Sequence, residues 1–189
     1  MPRLYQVVLI VSTLGLAWLG MQVVHELGHV LAARASGEEV YRLVLHPLAI
    51  SRTDASHDKH PLRVVWGGPV LGVLLPLVAL VVTRWVHCRW FYLFQFFAGF
   101  CLIANGVYLG VGSIDGVGDA GDLLRYGAPR WPLIVFGLVT APAGLYLWNG
   151  LGRHFGLGEA RGRVDRRAAV IGLGLLLTVV LAEILVSGR

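Results

Sequence analysis

The sequence predicts an all-α integral membrane protein of about five transmembrane helices, with a small surface β-hairpin between the first two. Three observations carry that prediction. The 189-residue chain is 56% hydrophobic and only 14% charged, against about 25% charged residues in an ordinary soluble domain, and its mean hydropathy is +0.69. Five apolar segments, residues 4–33, 64–83, 90–112, 131–151 and 168–187, each reach the roughly 20 residues needed to cross a hydrocarbon core. Between the first two, Gly37 to Pro61 is polar enough to lie outside the membrane.

The first segment would be about 45 Å long as a helix, more than a perpendicular span needs. It is expected to tilt, to kink near Gly15 or Gly20, or to protrude. It resembles a signal peptide only in Arg3 followed by an apolar run, and the run continues past residue 20, so an uncleaved anchor is expected. Val40 to His46 reads as a short strand, Pro47 interrupts it, and Leu48 to Thr53 is its expected return. Asp54 to His60 is a charged loop. The second span begins at Trp66-Gly67-Gly68-Pro69, and a tight loop, Arg84 to Arg89, leads to the third. Gly110 to Arg130 is a glycine-rich loop holding Asp115, Asp119 and Asp122, and Arg153 to Arg167 is a connector with five arginines.

The net charge of +5 comes from arginine, since Lys59 is the only lysine. Membrane-flanking arginine accounts for it, and nothing resembles a nucleic-acid module. Alternating spans divide the basic residues eight against eight between the two sides, so charge counting assigns no orientation. Cys88 and Cys101 would stand about 20 Å apart along a helix, too far for a disulfide. Neither belongs to a C-x-x-C pair.

The candidate chemistry lies in His25-Glu26-Leu27-Gly28-His29. Two histidines and a glutamate in an apolar helix are expensive to bury and imply a function. Positions i and i+4 share a helix face, so His25 and His29 can hold one metal ion while Glu26 serves as a base toward a water. A hydrolytic site needs a third protein ligand. Asp115, Asp119 and Asp122 follow the third span and so fall on the same membrane side as the end of the first.

These residues resemble the site-2 protease family of intramembrane zinc metalloproteases. The resemblance rests on Val24-His25-Glu26-Leu27-Gly28-His29-Val30, on the Gly68-Pro69 pair in the second span, and on an aspartate motif after the third. It covers roughly residues 15–126, which would form the catalytic core of a single domain, 1–189, with two further helices over 131–187. The chain departs from the family in carrying Gly72 where an asparagine is frequent, and in having no proline between Pro76 and Pro129. Asp119-Ala120-Gly121-Asp122-Leu123-Leu124 is the better match to the aspartate motif, so Asp119 ranks first as third ligand, ahead of Asp115 and Asp122.

The resemblance implies a zinc ion on His25, His29 and Asp119, with Glu26 moving the proton in peptide-bond hydrolysis. The substrate would be a membrane-spanning protein or peptide, cut in or next to its transmembrane segment. Asn105 is expected either to hydrogen-bond the substrate or oxyanion or to make an interhelical hydrogen bond. The hairpin at 40–53 is a candidate acceptor for an unwound substrate strand. The expected location is a bacterial cytoplasmic membrane. The competing expectation is an inactive relative, acting as a membrane metal-binding scaffold or a partner-binding protein. His46, His57, His60, His87 and His154 are expected to be solvated or interfacial. Trp90 to Phe97 reads as an interfacial belt with lipid-facing packing, and Glu183 is expected to snorkel or to pair with Arg189.

Overall fold

The computed structural model describes residues 2–48, 50–56 and 59–187. Among them, five helices are long and apolar enough to cross a membrane. They are α1 (Pro2–Ala35), α2 (Pro61–Trp85), α3 (Phe91–Asp115), α5 (Arg130–Trp148) and α6 (Arg166–Ser187), with a short helix α4 (Gly118–Arg125) between α3 and α5. Strands β1 (Val40–Val44) and β2 (Arg52–Ala55) form an antiparallel hairpin between α1 and α2. The expected fold class is the observed one. His57 and Arg189 lie outside the described residues.

Helix α1 is unbroken over 34 residues, about 51 Å, with no break at Gly15 or Gly20. Those glycines serve contact instead. A Cβ at Gly15 would meet Leu176 of α6 at 2.9 Å, and one at Gly20 would meet the Phe97 ring of α3 at 3.2 Å. Small residues also bring the other helices together, as is usual where lipid supplies no hydrophobic drive. A Cβ on Gly67 would meet the Gly28 carbonyl at 2.5 Å, so α1 and α2 cross almost backbone to backbone there. A Cβ on Gly137 of α5 would meet the Gly106 carbonyl of α3 at 2.7 Å.

Three boundaries differ from expectation. Helix α2 starts at Pro61, with proline in its first turn where the missing N–H costs nothing, so the Gly68-Pro69 pair lies inside the helix. Its start is anchored by buried Glu38, which accepts the Lys59 and His60 amides at 2.7 and 2.9 Å. The return strand begins at Arg52, not Leu48. The register Val44↔Arg52 leaves residues 45–51 as the connection, and the Ser51 amide bonds to Gln22 Oε1 of α1 at 3.1 Å, not to β1. The glycine-rich segment is largely helical. Gly116 (φ 65°) ends α3 in a left-handed turn and Gly118 (φ 56°) opens α4. Ala120 and Leu123 of α4 then bury against Val65, Leu109 and Leu133.

At the opposite end, the basic connector folds into two 3-10 turns, Leu151–Phe155 and Gly158–Ala160. Gln6 ties it to α1 by donating to the Phe155 and Gly156 carbonyls, both at 3.0 Å. Tyr92 is buried and stacks on His154 at 4.7 Å, so this part of the aromatic run is core and not lipid-facing belt. Glu183 is buried, its Oε2 unpartnered among the described residues, and does not snorkel.

Candidate functional site

The last three turns of α1 place His25, Glu26 and His29 in the interior, 8%, 3% and 8% exposed. Asp119 reaches them from the first turn of α4, where a carboxylate also suits the helix dipole. Three ligand atoms converge. His25 Nε2 and His29 Nε2 are 3.1 Å apart, and Asp119 Oδ2 lies 2.9 Å from the first and 3.3 Å from the second. Ligands about 2.0–2.1 Å from a tetrahedral ion stand about 3.3 Å from one another, so the separations suit one small metal ion. His25, His29 and Asp119 form a group that could hold such an ion. Burial alone would raise the Asp119 carboxyl, but the two imidazoles beside it hold it below its ordinary value.

The structure brings Asp119, not Asp115 or Asp122, to the histidines. Asp115 is exposed at the C-terminus of α3. Asp122 is ion-paired with Arg125 at 3.0 Å on the rim. The turn at Gly116–Gly118 explains the choice, because reversing the chain there aims the first turn of α4 back toward α1. The backbone N–H of Asp119 donates to Tyr108 Oη at 3.3 Å, which secures that turn to α3.

Each histidine is held through its other ring nitrogen. His29 Nδ1 donates to the Val64 carbonyl at 2.9 Å, and His25 Nδ1 lies 2.7 Å from Asn105 Oδ1. Asn105 therefore makes the interhelical hydrogen bond that was one of its two expected roles. It also lines the cavity that contains the site. Gly68 packs directly on the imidazoles, since a Cβ there would stand 2.8 Å from His25 Nε2.

Both carboxylate oxygens of Glu26 are engaged by the hairpin. Ser51 Oγ donates to Oε1 at 2.8 Å and Thr53 Oγ1 donates to Oε2 at 2.6 Å. The sequence points to Gly68 only through the Gly68-Pro69 pair and singles out none of Ser51, Thr53 and Val64. A signal existed only for the hydroxyls, which fall at i and i+2 and so on one face of an extended segment.

A cavity of about 820 Å³ surrounds the site. On one side its walls are apolar, with Trp18 and Met21 from α1 and Phe100, Ile103 and Ala104 from α3. On the other side Ser51 to Asp54 and Asp122 form a polar rim. Comparison with protein-family models, curated proteins and solved structures found no match to this chain.

Proposed function

We propose that this chain is an intramembrane zinc metalloprotease of the site-2 type, hydrolysing a peptide bond in or next to a transmembrane segment. The observation that carries the reading is the convergence of His25, His29 and Asp119 on one point, with Glu26 lining the same cavity. The residues fit zinc, for which two imidazoles and one carboxylate are an ordinary hydrolytic set. When bound there, zinc supplies Lewis acidity toward a carbonyl oxygen and lowers the pKa of water toward neutrality.

The chain's own groups do the rest. Glu26 takes a proton from the attacking water on a carboxylate oxygen and returns it to the leaving nitrogen. Ser51 and Thr53 aim that carboxylate, and each oxygen keeps a second lone pair for the transfer. The apolar half of the cavity suits the end of a membrane-spanning segment, and the polar rim suits the chain leaving it. This division favours cleavage where a substrate helix meets the surface. The unwound stretch would pair with the hairpin, whose β2 residues Arg52 to Asp54 face the cavity. The setting proposed is a bacterial cytoplasmic membrane.

Replacing Glu26 by Gln is expected to lower cleavage of a single-span substrate by at least about 10²-fold while zinc content stays at one per chain. Undiminished cleavage by that variant overturns the mechanism. One observation favours a second reading, a non-catalytic metal-binding scaffold or partner-binding protein: both oxygens of Glu26 are already bound by hydroxyls. Chelator-sensitive cleavage by the wild-type chain rejects this second reading. Stoichiometric zinc without turnover on any single-span substrate supports it.

A further inference from the structure

We infer that Asn105 is a positioning residue, fixing the tautomer of His25 so that Nε2 is free for the metal, and that Gly72 provides the space it needs. The inference rests on the metal reading above and assigns a role within it.

The orientation of the Asn105 amide is set by its own helix. Nδ2 donates to the Cys101 carbonyl at 2.9 Å, so the oxygen is the end that faces α1. An amide oxygen only accepts, and the 2.7 Å contact to His25 Nδ1 therefore requires a proton on Nδ1. In a neutral imidazole the lone pair then lies on Nε2, the atom facing Asp119 and His29. Partners of this kind on the second ring nitrogen orient metal-binding histidines and raise their basicity. His29 has the equivalent restraint from Val64, but that restraint comes from backbone. For His25 it depends on one side chain, and that side chain is 1% exposed.

Gly72 completes the arrangement from α2. A Cβ at Gly72 would stand 2.7 Å from Asn105 Oδ1 and 2.8 Å from Nδ2. Any side chain there would push the amide off His25. The glycine that departs from the family pattern in sequence is thus the space into which Asn105 reaches.

The test uses the full chain in detergent micelles, stripped of metal and titrated with zinc against a competing chelator. Asn105→Leu is expected to weaken zinc binding about 10- to 100-fold. Asn105→Asp keeps an acceptor oxygen at Nδ1 and is expected to hold affinity within about threefold of wild type, whereas a purely packing role would be met by the similarly sized Leu as well as by Asp. Gly72→Ala is expected to weaken binding in the same direction, and the Gly72→Ala/Asn105→Leu double variant is expected to be no weaker than Asn105→Leu alone. Wild-type affinity in Asn105→Leu, or full additivity in the double variant, overturns the assignment while leaving the metal centre standing. Failure of the wild-type chain to bind zinc overturns both.

Discussion

Gly68 shows how little freedom the paired histidines leave their neighbours. Its position on α2 puts any added methyl against both imidazoles, at the point where α1 and α2 are also closest. Gly68→Ala is expected to destabilise the fold by about 1–3 kcal/mol as an overpacked core position and to weaken zinc binding in the same variant, because the rings must turn to make room. Calorimetry and zinc titration check this, and a variant with wild-type affinity would refute it. The same residue marks the boundary of what a sequence can reveal. His25, Glu26 and His29 were legible because helix geometry alone puts them on neighbouring positions of one turn. Asp119 could be ranked only by resemblance, since 90 residues of chain separate it from His29 and nothing local fixes that distance. Gly68, Val64 and Asn105 act through contacts between helices, which no spacing along the chain encodes.

Among the elements, the hairpin is the one most directly coupled to the candidate chemistry. Its return strand is held on α1 by the Ser51 amide on Gln22 and by two hydroxyls on Glu26. Hydrogen bonds to a charged, buried acceptor contribute about 1.5–3 kcal/mol each. The Ser51→Ala/Thr53→Val pair is expected to free residues 45–51, read as faster nicking there by an added protease while the helices stay intact. Unchanged nicking would mean that the strand holds itself in place. The strand starts four residues later than the sequence suggests, at Arg52, because the Ser51 amide is taken by Gln22 of α1, a contact that no local pattern encodes.

The opposite end has its own clasp. Asp165 joins the Trp90 indole, Arg89 and the first amides of α6. Burial raises its carboxyl, and these donors together lower it further, to below its ordinary value. A folded-state value below the unfolded one stabilises above the unfolded pKa, near 3.8, and the gain is lost as pH falls through the folded value. Acidification below about pH 4 is therefore expected to loosen the connector, reported by Trp90 fluorescence, and Asp165→Asn is expected to remove most of that pH response. A response that persists in full in the variant would place the titrating group elsewhere.

For the whole molecule, the number and order of the spans were legible because each apolar run is long enough to be read independently of its neighbours. How the spans pack was not, since glycine contacts between α1 and α2 and between α3 and α5 decide it. The resulting bundle has a weak seam. A large cavity lies between α1 and α3 at the level of the site, where His25 and His29 meet Asp119 of α4 and His25 meets Asn105 of α3. A metal ion at that point would bridge α1 and α4 across the cavity, whereas the glycine seam between α3 and α5 is independent of it. Metal binding to the folded state alone adds about 2.7 kcal/mol at a free concentration 100 times the dissociation constant. Removing such an ion with a chelator is therefore expected to lower the unfolding free energy by roughly that amount. It should speed hydrogen exchange in 25–29 and 118–125 while leaving the α3–α5 seam unchanged. Asp119→Asn is expected to show the fast pattern with or without chelator. Exchange that rises uniformly along the chain, or not at all, would show that the ion does not hold the seam, and would leave the convergence of His25, His29 and Asp119 as packing alone.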